Sequence, residues 1–179
     1  TSSSTTSTSY KIIGFSTTDG YTNISNEAAN GNTTTAADIY NNYSNMAVTQ
    51  SPGGTFNYSV TVMSYTELEI WIDLNQDMIF DPTEELLISY DDYATSAHTY
   101  TGSFTIPTGT PLGDYRMRVR SRYYTSAISP CGTGPSGETE DYTLRIVETP
   151  LCLPVTELNV GDISYNSAEL LWTIAEGTS

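Results

Sequence analysis

Along most of this chain, polar and apolar residues alternate in short runs separated by turn-forming residues. A period of two predicts strands with one face toward a core. "YKIIGF" at residues 10–15 opens the series. After a loop rich in Asn, Gly and Thr, "NNYSNMAVTQ" (41–50) and "TFNYSVTV" (55–62) flank "SPGG", which predicts a β-hairpin. In "YTELEIWIDL" (65–74) the alternation is strict. Leu68, Ile70, Ile72 and Leu74 share a core-facing side, and Glu67, Glu69, Trp71 and Asp73 share the other. "EELLISYDDY" (84–93), "TYTGSFTIP" (99–107) and "PLGDYRMRVRSRYY" (111–124) give three further strands. "ETEDYTLRIVE" (138–148) follows, with Tyr142, Leu144 and Ile146 inward. Many short strands with regular turn signals and no helical periodicity predict an all-β fold, an antiparallel β-sandwich of jelly-roll or immunoglobulin-like type over residues 10–148. Residues 1–9 read as a Ser/Thr-rich linker, and residues 149–179 as a short C-terminal β segment. In that segment Ala168, Leu170, Trp172 and Ile174 share a face. It either begins another domain or completes the first sandwich, since an isolated hairpin is marginal in water.

Composition narrows the partners. A chain of 179 residues with 37% hydrophobic content can bury one good core. Its 21 acids against 6 bases give a formal charge of −15. That excludes nucleic acid and anionic membrane surfaces as favoured partners and suits bound cations, which relieve carboxylate repulsion. No run of about 18 apolar residues predicts membrane insertion. The opening "TSSSTTSTSY" lacks the charged and apolar parts of a signal peptide, so the sequence reads as an internal excerpt. Cys131 and Cys152 are the two cysteines. A bridge between them would imply an oxidising compartment, and a partner for Cys152 beyond this stretch is the alternative.

Three clusters carry chemistry. In "DLNQDMIFDPTEE" (73–85), Asp73, Asn75 and Asp77 alternate as in calcium loops. The Ile79 carbonyl, Asp81 and either Glu84 or Glu85 would complete six to eight oxygens. Met78 stands where such loops carry glycine, and no helices flank the segment, so it is not an EF-hand. A solvated acidic turn is the plainer alternative. In "GETEDY" (137–142), Glu138 and Glu140 share a strand face while Asp141 points away. A glycosidase acid and nucleophile are one reading of that pair, and ion pairing with nearby arginines is the favoured one. Arg116, Arg118, Arg120 and Arg122 form a ladder on one strand face, with Tyr123 and Tyr124 beyond. Together with an outward Trp71 they could grip a sulfated or uronic polysaccharide. The ordinary role is cross-strand pairing with Glu67, Glu69, Asp73 or Glu138. His98 has no nucleophile motif around it.

"WIDLNQD", the later "YRMRVR", a "PCG" loop and "GETEDYTLRI" stand in the order seen in the GEVED domain, which this chain resembles from about Tyr10 to Glu148. The resemblance implies a β-sandwich module without catalytic activity, carried in large secreted or surface-attached bacterial proteins. There it keeps company with fibronectin type III repeats, which the tail after Pro150 also resembles. It makes the aspartates of "DLNQD" and the acids of "GETED" the matched polar positions. This chain departs from the family at Met78 and Ile79, where the usual run is Asp-Gly-Asp, and at Asn42, where aspartate is common. The expectation is a secreted or cell-surface, calcium-binding accessory or adhesion module. Its partners would be an extracellular polysaccharide or neighbouring domains of its parent, and a structural bead without a ligand is the alternative.

Overall fold

The computed structural model describes residues 10–27, 38–81, 86–90, 95–123, 129–132, 137–150 and 155–174. Within them lie eleven strands: β1 (Ile12–Thr18), β2 (Ser25–Asn26), β3 (Asp38–Gln50), β4 (Thr55–Val62), β5 (Thr66–Ile72), β6 (Leu86–Tyr90), β7 (His98–Thr105), β8 (Gly113–Tyr123), β9 (Gly137–Ile146), β10 (Val155–Ile163) and β11 (Ala168–Ile174). The chain divides into two compact units, Thr1–Glu148 and Thr149–Ser179.

The first unit is an all-β sandwich of a four-stranded sheet, β2-β1-β4-β7, and a five-stranded sheet, β3-β9-β8-β5-β6. Alternation decides which side chains meet between the sheets. Phe56, Tyr58, Val60 and Val62 of β4 face Leu68, Ile70 and Ile72 of β5, Tyr115, Met117 and Val119 of β8, and Tyr142, Leu144 and Ile146 of β9 in one buried cluster. Each fully buried aliphatic or aromatic side chain contributes about 1.5–3 kcal/mol.

The "SPGG" turn forms, but it does not make a hairpin. Gly54 N donates to Ser51 O at 2.9 Å, with Gly53 at φ +80, where glycine is unstrained. The strands on either side nevertheless enter different sheets. β3 runs parallel to β9, while β4 pairs with β1 and β7. Gln50 braces the switch. Its side-chain amide donates to Asp19 O (3.0 Å) and Thr55 O (2.9 Å) and accepts from Ser51 N (2.9 Å), tying the end of β3 to both neighbouring segments.

β5 departs from a half-exposed alternating strand, because all seven of its residues are buried. Its outer face is roofed by the segment that follows, whose Phe80 packs on Trp71 apart from the main core.

The second unit, considered by itself, is a β10-β11 antiparallel hairpin whose register shifts twice. Leu158, Val160, Leu170, Leu171 and Trp172 are all exposed, so apolar side chains stand on both of its faces.

Candidate functional site

Asp73 leaves β5 with its backbone N–H on Arg116 O at 3.0 Å. Its side chain is only 5% exposed. Oδ2 accepts from Met78 N at 3.2 Å, while Oδ1 is buried with no hydrogen-bond partner among the described residues. Beyond it the loop curls through short-range turns. Asn75 Oδ1 accepts from Asp77 N (2.9 Å), Asp77 Oδ1 from Ile79 N (2.8 Å), and Asn75 Nδ2 donates to Asp77 Oδ2 (3.2 Å). Such side-chain turns are what Asn and Asp do at loop positions. Gln76 and Met78 take φ +59 and +68, so the chain makes its left-handed turn without the usual glycine, at a cost of about 1–2 kcal/mol per residue. Gln76 Nε2 on Asp114 O (3.0 Å) ties the loop to β8.

Asp73, Asn75, Asp77, Ile79 and Asp81 therefore lie in one tight loop. Glu84 and Glu85 lie outside the described residues. Among the described residues no three His, Cys, Asp or Glu side chains converge as a ready metal cage. The donor set is instead mixed: the Asp73, Asp77 and Asp81 carboxylates, the Asn75 amide oxygen and the Ile79 carbonyl, the hard oxygens that calcium takes. The orphaned Asp73 Oδ1 is the feature that fits a cation, since a buried oxygen without a partner is costly.

The arginine ladder lies on the outer face of the five-stranded sheet, and two of its four members, Arg118 and Arg120, are used internally. Arg118 holds Asp141 bidentately, with Nε to Oδ1 at 2.7 Å and Nη2 to Oδ2 at 2.7 Å. Its Nη1 donates to Pro130 O at 3.0 Å. Phe80 covers it from 4.9 Å and Tyr40 from 6.0 Å. Arg120 is 2% exposed and donates to Ser129 O (2.8 Å) and Gly132 O (2.6 Å). Glu69 stands opposite Arg120 and Glu67 opposite Arg122 in the β5-β8 register.

This corrects the picture of an open aromatic and cationic grip. Trp71 is fully buried against Phe80 and offers no stacking platform, and Arg120 is sealed under the 129–132 segment. Arg116 remains exposed, and Tyr123 is exposed with its ring 4.5 Å from that of Tyr10. Tyr124 lies outside the described residues. Cys131, one half of the expected bridge, is an exposed free cysteine, and Cys152 lies outside the described residues.

Strand parity separates the acids of "GETED". Asp141 points out to Arg118, whereas Glu138 and Glu140 point between the sheets, so the arginines are not the partners of these two glutamates. Glu138 Oε2 accepts from Ile12 N (3.0 Å) and Oε1 from Asn41 Nδ2 (2.6 Å). Glu140 Oε2 accepts from Tyr142 Oη (2.8 Å), which accepts from Asn26 Nδ2 (2.7 Å). Burial pushes the Glu138 carboxyl up to about 7. Burial, with the neighbouring Glu138 charge, pushes Glu140 up to about 8. Both are sealed from solvent, so a sugar has no access to them and they make no glycosidase pair.

Asn26, Asn41, Tyr40 and Phe80 belong to these sites without having stood out in the sequence. Phe80, a lone aromatic within an acidic loop, was the readable signal. The asparagines had none, because the contacts they make span 97 and 116 residues.

No curated protein sequence matches the chain. Among solved structures, a family 123 glycoside hydrolase from Clostridium perfringens shares 10% identity at a TM-score of 0.37, over 62% of this chain and 23% of that one. Spo0M, a sporulation control protein from Bacillus subtilis, shares 15% at 0.32, over 63% of this chain and 55% of that one. The chain thus spans less than two thirds of either. Residues 67–145, from β5 to the end of β9, match the family model of the GEVED domain.

Proposed function

We propose, from the match of residues 67–145 to the GEVED family model, that this chain is a non-catalytic accessory module of a larger secreted or cell-surface protein and that it holds calcium in the loop after β5. The observation that carries the calcium reading is Asp73 Oδ1, a buried carboxylate oxygen without a partner at the head of a loop whose side chains alternate oxygens. Asp73, Asn75, Asp77 and the Ile79 carbonyl would hold the ion, with Asp81 behind them. The bound ion supplies positive charge where the loop has none, stiffening the corner between β5 and β6 and keeping Phe80 seated over Trp71 and Arg118.

Met78 at φ +68 raises the cost of that corner. A weak site suits the millimolar calcium outside cells, where modules bind at about 10⁻⁴–10⁻³ M.

The test is titration calorimetry of calcium into chelator-treated protein, with thermal melts in calcium and in chelator. Saturable binding is expected, with stabilisation of about 2.7 kcal/mol at a hundredfold excess over Kd. Asp73→Asn and Asp77→Asn should abolish both effects while each variant still folds in chelator. Absence of heat and of any melting shift in the native chain would refute the calcium reading.

A further inference from the structure

On the outer face of the five-stranded sheet, the β3-β9 ladder breaks between Asn42 and Ala47 before pairing resumes. The bulge opens a groove of about 310 Å³ between β3 and the β8-β9 pair, at the lower end of the size range of small-molecule sites. Tyr40 and Asn42 line it on one side, Arg116 and Arg118 on the other, with Asp141 and Thr143 in its floor.

The charges do not cancel. Asp141 is neutralised by Arg118, and Asp114 at the rim by Arg145, with contacts of 2.7 and 2.8 Å. Arg116 is exposed and makes no side-chain hydrogen bond or ion pair among the described residues. In a chain of charge −15, the groove therefore presents one uncompensated guanidinium.

Its other features are those of a sugar site. The Tyr40 ring is 57% exposed, yet its orientation is fixed by its hydroxyl, which donates to Asp141 Oδ2 at 2.9 Å, and by the Arg118 guanidinium 6.0 Å from its centroid. A fixed, exposed ring is a stacking surface of low entropic cost. Asn42 uses its Oδ1 to accept from Ser44 N, which leaves its amide hydrogens available to hydroxyl groups.

We propose that this groove binds a single acidic sugar unit, a pyranose bearing one carboxylate or sulfate. The ring lies on Tyr40, the anion is held by Arg116, and hydroxyls are met by the Asn42 amide, since the Thr143 hydroxyl is committed to Ser44 O at 2.8 Å. A guanidinium holds such an anion through two parallel N–H donors. A densely charged polyanion would be repelled by the rest of the chain, so the site selects sparsely charged glycans or acidic chain ends. This inference stands on the groove alone and holds with or without calcium in the loop.

The test is amide chemical-shift mapping of the whole chain with methyl glucuronide, methyl glucoside 6-sulfate, neutral methyl glucoside and acetate, each in calcium and in chelator. Saturable shifts are expected at residues 40–44, 116 and 141–143 with at least one anionic sugar, and which of the two is tighter identifies the anion. The neutral sugar and acetate should each bind at least about tenfold more weakly. Arg116→Gln and Tyr40→Ala should weaken the anionic sugar by about tenfold, Tyr40→Phe, which keeps the ring but loses its bond to Asp141, should weaken it less than Tyr40→Ala, and Arg122→Gln, an equal loss of charge outside the groove, should leave it unchanged. The proposal fails if neither anionic sugar saturates, if neutral sugar or acetate binds as well, or if Arg122→Gln matches Arg116→Gln. Because both metal conditions are read, loss of the calcium site and loss of the groove are separate results.

Discussion

Glu138 and Glu140 show how much depends on single residues. Their carboxyls sit at about 7 and about 8, above the ordinary 4.5, because burial disfavours the ionised form. Below pH 4.5 both groups are protonated whether the chain is folded or not, and burial carries no ionisation penalty. As pH rises, the unfolded chain ionises first while the folded one keeps its protons, so stability falls, by up to about 1.4 kcal/mol per pH unit for each group. The decline should run from about 4.5 to about 8 and then level off. Urea unfolding at pH 5, 6.5 and 8 reads it directly, and Glu140→Gln, which keeps the bond to Tyr142, should flatten the upper part of the curve. The glycine that opens the same motif is equally constrained. Gly137 has φ +143, and a Cβ there would lie 2.2 Å from the Ser121 carbonyl oxygen. Gly137→Ala should therefore cost about 2 kcal/mol or more, measurable as a drop in the urea midpoint.

At the scale of elements, β5 and β8 divide what the alternation reveals from what it hides. Met117 and Val119 inward with the arginines outward was readable on β8, since the period of two fixes parity. The same reasoning put Trp71 in solvent, because parity says nothing about whether a later segment roofs the outer face. Phe80 and the 129–132 segment do that here. Likewise the "SPGG" turn was readable, but the partner of β3 was not. Its ladder is closed by a strand about a hundred residues away, and the local signal of a turn carries no information about that. The Asp73–Asp81 loop was readable from its alternating oxygens, whereas the groove depends on the β3 bulge and on which arginine is left over, which only assembly decides. Trp71 also joins these elements. Its truncation to alanine should cost about 3–5 kcal/mol and release Phe80 from Arg118. Near-ultraviolet circular dichroism and a urea melt would report both effects.

For the molecule as a whole, an excess of 21 acids over 6 bases works against compaction at neutral pH. Raising salt from about 10 to about 150 mM shortens the screening length from about 30 to about 8 Å, so the melting temperature at pH 7 should rise. Equal melting points at the two ionic strengths would mean that the carboxylates are already compensated pairwise. The parallel seating of β3 beside β9 acts at this scale too. Asp38 pairs with Gly137 and Gln50 with Ile146, and β9 stands between β3 and β8 although it is the last strand of the sandwich to be synthesised. A ribosome that has emitted everything up to Tyr123 has produced the five-stranded sheet without its second strand, so β3 is paired, among the described residues, only by the short bridge of Thr49 to Thr22 and β8 has one bare edge. Closing pairs so distant in sequence is slow, and exposed strand edges in the interval invite association with other chains. Completion of the five-stranded sheet therefore waits for "GETEDYTLRI", the strand that joins β3 to β8.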